Sequence, residues 1–155
     1  MNLFILHTNP RLAAKYHSDK HVIKMILETA QLLSTAHHVC PSKIMDKYRG
    51  NIYKPTHQNH PCAIWVRENS QNYRWTLELL FELIKEYKYR YDGKDHATAS
   101  ITQYLSFIPD IPHSITRSPF ALAMPDEFRQ DDAVKAYRAY YKNDPDKKRI
   151  NVWKK

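Results

Sequence analysis

The chain has 155 residues, 43% of them hydrophobic and 26% charged, and 24 Lys and Arg against 16 Asp and Glu give a net charge of +8. That length accommodates one domain with a sizeable core, whereas two glycines cannot build a GxGxxG turn or a Walker loop, which excludes the nucleotide-cradling folds that depend on them. Two cysteines without a CxxC pair and an N-terminus unlike a signal peptide point to a reducing cytoplasm, bacterial or virus-infected, and no apolar run approaches the roughly 20 residues of a membrane helix.

In chain order the pattern predicts a mainly α, compact single-domain fold over 1–155 with long loops. Asn2 to Leu6 form a short apolar opening, a strand or a tucked-in terminus, which Pro10 interrupts. Ser18 is placed to cap a helix over Asp19 to Val39, where Val22, Ile23, Ile26, Ala30 and Leu33 recur at helical spacing. Cys40-Pro41 ends it, and residues 41–61, with four basic side chains and no steady period, read as a long loop.

A second helical stretch runs from Pro61 to about Tyr91 with a break at Asn69-Ser70, and Leu77, Leu80, Phe81 and Ile84 form its predicted buried stripe. Asp92-Gly93 is its stop signal. Ala97 to Phe107 is a weaker third helix. Pro109, Pro112, Pro119 and Pro125 then impose extended structure around an apolar knot at 120–124, and Asp131 is placed to cap a last helix over Asp132 to Lys142.

Charge is concentrated at the end. From Lys135 onward eight basic residues face only Asp144 and Asp146, while the first 134 residues carry about +2. Tyr137, Tyr140, Tyr141 and Trp153 are interleaved with that charge in the basic aromatic segment 135–155. Flat rings that stack on bases beside cations that meet phosphates point to nucleic acid.

Two polar constellations carry chemistry. On the first long helix His17, His21, Lys24, Glu28 and Gln31 share one stripe, roughly opposite Ile26 and Leu33, which predicts a solvated face. Its content is one carboxylate among two imidazoles and an amine, the ingredients of acid–base or imine chemistry. The loop Tyr53-Lys54-Pro55-Thr56-His57-Gln58-Asn59-His60-Pro61-Cys62 holds the second set. His57, His60 and Cys62 are soft ligand types, with His37 or His38 as a fourth, but their spacing fits no standard zinc pattern and hydrogen bonding is the preferred reading. Among nucleophiles an α-amine stands out, because its ordinary pKa of about 7.7–8.0 leaves more of it uncharged near neutrality than a lysine amine.

Asp19-Lys20-His21 followed by Glu28, the opening Met1-Asn2-Leu3-Phe4-Ile5-Leu6-His7, and Tyr53-Lys54 with Asn59-His60-Pro61 before a second long helix resemble the phage pyrimidine-dimer DNA glycosylases with AP-lyase activity, the endonuclease V of the pyrimidine-dimer type. The resemblance implies that the terminal α-amine attacks the sugar carbon bearing the damaged base and that a helix glutamate is indispensable. On this chain the amine belongs to Met1, the glutamate is Glu28 and the nearby histidine is His21. The phage enzymes expose a small second residue after losing methionine, whereas Asn2 is larger and implies that Met1 stays. Leu27 stands where the family has a basic residue before its glutamate, and Lys24, one turn earlier, is the substitute.

The resulting expectation is a monomeric DNA glycosylase and AP lyase acting on damaged or modified duplex DNA without metal or cofactor. Met1, Glu28, His21 and Lys24 are its catalytic candidates, and Lys20, Lys54, His57, Asn59, His60, Arg67, Lys147, Lys148, Arg149 and Trp153 its DNA-binding candidates. The alternatives are a non-catalytic nucleic-acid-binding accessory protein and a His-dependent metal nuclease.

Overall fold

The computed structural model describes residues 1–143 and Trp153; Lys147, Lys148 and Arg149 lie outside the described residues. Seven α-helices and three short 3-10 turns make up the described regular structure, which contains no strand. Helix α1 covers Pro10–Tyr16, α2 Asp19–Val39, α3 Met45–Tyr48, α4 Pro61–Glu68, α5 Ser70–Arg90, α6 Thr102–Leu105 and α7 Ala133–Asn143. No helix among the described residues is long and apolar enough to cross a membrane.

The two 21-residue helices α2 and α5 form the frame. Asp19 at the start of α2 meets Arg90 at the end of α5, at 3.2 Å, while His37 near the end of α2 meets Tyr73 near the start of α5, at 2.8 Å. The pair is therefore antiparallel. Val22, Met25, Ile26, Ala30 and Leu33 of α2 and Leu79, Leu80 and Leu83 of α5 fill the space between and around them with side chains withdrawn from water. Burial of this kind is the main source of stability, about 25 cal/mol per Å² of apolar surface.

Helix α1 was not foreseen, because Pro10 reads as an interruption. It is a start: Asn9 Oδ1 accepts from the backbone N–H groups of Arg11 and Leu12 at 2.9 and 3.2 Å, and Pro10 occupies the first turn, where its missing N–H costs nothing. The stretch ahead of it is a tucked-in terminus and no strand, with Leu3, Phe4, Ile5 and Leu6 all in the core. His17 is extended and precedes the Ser18 cap, so it lies off α2 and the expected helical stripe begins only at Asp19.

The break between α4 and α5 falls at Asn69, whose extended backbone and side-chain oxygen, accepting from Gln71 and Asn72 N–H at 3.0 Å each, start α5 anew. At its far end Gly93 N–H reaches back to the Lys88 carbonyl at 2.8 Å, the six-to-one bond of a Schellman turn. Asp92 takes the left-handed conformation there at φ 55, and Gly93 follows at φ 78. Two expectations on side-chain faces are corrected: Ile23 and Phe81 are exposed, since the neighbours of α2 and α5 cover a different arc from the one the apolar spacing centred on.

Residues 41–61 are no continuous loop but carry α3 and a 3-10 turn over Arg49–Asn51. The Ala97–Phe107 expectation resolves into a 3-10 turn at Ala97–Ile101 followed by α6. The proline-rich stretch then runs as an extended strap over α4 and α5, held where Pro112 O accepts from Ser70 N–H and Pro119 O from the Trp65 indole, both at 2.8 Å. Asp132, one residue after the expected cap, accepts from Lys135 N–H at 3.0 Å and opens α7.

Candidate active site at the chain terminus

The strap and α4 bring the first two residues against the middle of α2. Glu28 Oε2 accepts the Asn2 backbone N–H at 3.1 Å and lies 3.9 Å from the Met1 α-amine. Its other oxygen is 3.5 Å from the Lys24 ammonium, one turn earlier on the same face. The carboxylate is 12% exposed and Lys24 63%, so the amine–carboxylate pair is sheltered and the lysine reaches it from solvent.

Asn2 fixes this arrangement, and sequence reasoning had valued it only for its size. Its side-chain N–H donates to Ala123 O on the strap at 2.8 Å, and its Oδ1 accepts from Leu3 N–H at 2.8 Å and from the Cys62 thiol of α4 at 3.2 Å. Burial pushes the Cys62 thiol up to about 11, so it is a hydrogen-bond donor and no nucleophile. Tyr137 of α7 closes the back of the site, donating to Ala121 O at 2.7 Å and accepting from Ala123 N–H at 3.2 Å. No local signal marks Asn2 or Tyr137, since each acts through residues on other elements.

His60 caps α4, its Nδ1 accepting from Cys62 N–H at 3.1 Å. Its pKa is lowered, first by burial and then by the charges of the terminal amine and His57, with Glu28 opposing. Those influences put His60 within electrostatic reach of both Met1 and Glu28, as a neutral ring near neutral pH. His57, exposed and at φ 47, bonds to Thr56 Oγ1 at 2.6 Å, and Arg67 donates to Gln58 O at 2.7 Å, tying the 57–60 turn to α4. Lys20, Lys54 and Asn59 are exposed. No group of three or more His, Cys, Asp and Glu side chains among the described residues is arranged to hold a metal ion.

Two expectations change. His21 does not flank Glu28 on a solvated face: it is 1% exposed, meets the Phe4 ring edge-on with centroids 4.7 Å apart and shares a 2.9 Å hydrogen bond with Tyr141 OH, about 10 Å along the helix from Glu28. The tail aromatics are not a stacking surface either, for Tyr137 and Tyr141 are buried and Tyr140 packs on Phe4 at 5.9 Å. Helix α7 turns that aromatic face inward, and of the four rings Trp153 alone is largely open.

The class the fold and site define is a mainly α protein with a sheltered terminal amine paired to a helix carboxylate. No protein-family model matches this chain, and no curated protein or solved structure matches it significantly.

Proposed function

We propose that the protein is a DNA glycosylase and AP lyase of damaged or modified DNA, with the Met1 amine as nucleophile. One observation carries the reading: the α-amine lies 3.9 Å from Glu28, at a terminus that Asn2 ties to Cys62 and the strap. The resemblance to the pyrimidine-dimer glycosylases supports the same assignment.

The reaction begins when the target nucleotide leaves the stack, at a cost of a few kcal/mol that is lowest for a damaged base. The neutral amine attacks C1′ and the base departs with the bonding pair of the glycosidic bond, leaving an imine after ring opening. Glu28 stabilises the positive charge and takes the C2′ proton, so that β-elimination breaks the C3′–O bond. His60, a neutral ring within electrostatic reach of both groups, donates a hydrogen bond to a leaving oxygen without giving up its proton, and Lys24 stays a surface cation near the phosphates. His21 is left with a packing role. No step uses a metal.

The test is a duplex carrying one abasic site, incubated in EDTA with and without borohydride. The wild-type chain gives strand cleavage and a trapped covalent adduct, and Glu28→Gln lowers the cleavage rate by about 10² to 10⁴. Binding without cleavage or adduct in the wild type assigns the chain to the accessory DNA-binding proteins.

A further inference from the structure

A recess opens at the other end of the buried N-terminal segment. It has a volume of about 310 Å³ and is lined by Leu6, Tyr16, Arg138, Tyr141, Lys142 and Trp153. We infer that it is a nucleotide subsite, which takes one unpaired base against Trp153 and Tyr16 and the adjoining phosphate on Arg138 and Lys142. The inference rests on the nucleic-acid half of the proposed function and not on its imine step.

The recess is polarised. Leu6 and Tyr141 are buried and form its floor, with the Tyr141 hydroxyl turned away to Ser18 and His21, whereas Tyr16 is 46% and Trp153 48% exposed. The Trp153 indole N–H donates to the Tyr16 carbonyl at 3.2 Å, which anchors the ring by its edge and leaves its face available. Arg138 is held by a 2.8 Å bond from Nε to the Leu6 carbonyl, with its guanidinium 5.1 Å from the Tyr16 ring centre. Among the described residues no carboxylate lines the recess and none pairs with Arg138 or Lys142. A fixed guanidinium fork whose outer nitrogens bond to no described residue fits a phosphate, and exposed rings beside it fit a base of any identity.

Position favours the same ligand. Leu6, which carries Arg138, and Asn2, which carries Glu28, are four residues apart on one segment, so their Cα atoms lie within about 14 Å of each other. That is about four base steps at 3.4 Å per step. A strand that reaches both has the recess gripping a nucleotide several steps from the reacting one.

The full chain is titrated with a 5′-phosphorylated oligothymidylate and, separately, with inorganic phosphate, while tryptophan emission is followed. Trp65 and Trp75 are buried, so a change on binding reports Trp153. The oligonucleotide quenches emission to saturation and phosphate alone does not. Trp153→Ala removes the quenching and weakens the oligonucleotide about tenfold by anisotropy, Trp153→Phe restores most of that affinity, and Lys142→Gln lowers the salt slope of binding by about one. Unchanged affinity in Trp153→Ala, or an equal response to phosphate alone, overturns the subsite. Abasic-site trapping run in parallel separates the two claims: quenching without an adduct keeps the subsite and removes the lyase, and an adduct with unchanged affinity in Trp153→Ala does the reverse.

Discussion

Two polar clusters on α2, one at its start and one two turns on, use similar residues for opposite ends. At the start, Arg90 is inserted among Asp19 at 3.2 Å, Glu86 at 3.0 Å and the carbonyls of His17 and Lys15 at 2.6 and 3.0 Å, with its side chain only 3% exposed. Every nitrogen of the Arg90 guanidinium meets an acceptor, and the neighbouring His17 and His21 pack among aromatic rings. At Glu28 the carboxylate instead faces a chain terminus and a solvent-borne lysine. A saturated cluster fixes helix ends, whereas an ion pair with an open side is free to exchange a partner for a substrate. The short motif Asp19-Lys20-His21 with Glu28 is thus split by the fold into a half that ties helix ends and a half that meets the chain terminus.

The largest effect that separates the halves is Arg90→Ala. Removing the guanidinium takes the cation from the buried Asp19 and the half-buried Glu86 and costs about 3–5 kcal/mol of unfolding free energy, measured by urea denaturation, a loss that Glu28→Gln does not share. An Arg90→Ala chain as stable as wild type removes the structural half of the contrast.

Acid sharpens the same contrast. Burial holds His17 at about 4 against its ordinary 6.5, so the folded chain keeps the ring neutral while the unfolded chain protonates it. The stability this contributes is present above pH 6.5 and is lost as pH falls towards 4, by about 3 kcal/mol. His37, which burial also holds at about 4, adds a loss of the same sign. Urea midpoints between pH 7 and 4.5 drop steeply for the wild type and less steeply for His17→Phe; parallel slopes contradict the assignment.

The smallest effect belongs to the site's frame. Asn2→Ala deletes the bonds to Ala123 and Cys62 while leaving the backbone N–H on Glu28, and it lowers stability by about 1–2 kcal/mol. Thermal unfolding unchanged by this variant shows that the strap and α4 are held by packing alone.

Much of the helical frame was legible because it is written locally. Ser18 and the spacing from Val22 to Leu33 mark α2 at its observed ends, and Asn69 marks the break before α5 because an Asx cap needs only the next three residues. Helix α1 was missed for the converse reason, since Asn9-Pro10 reads equally as a break and as a beginning. The inward turn of Tyr137 and Tyr141 was hidden by the lysines and arginines around them, which on an amphipathic helix occupy the other face. Spacing could place Lys24 and Glu28 together, but only the resemblance named Met1 beside them. That Asn2 joins α2, α4 and the strap is a long-range fact with no periodicity to show it.

The central claim is that the chain's own terminus is the nucleophile, and mapping the borohydride-trapped adduct tests it most directly. Proteolysis and mass spectrometry of the species formed on an abasic duplex are predicted to place the reduced sugar on the Met1 α-amine. A sugar found on Lys24 or Lys20, or no adduct while the strand is cleaved, contradicts that claim.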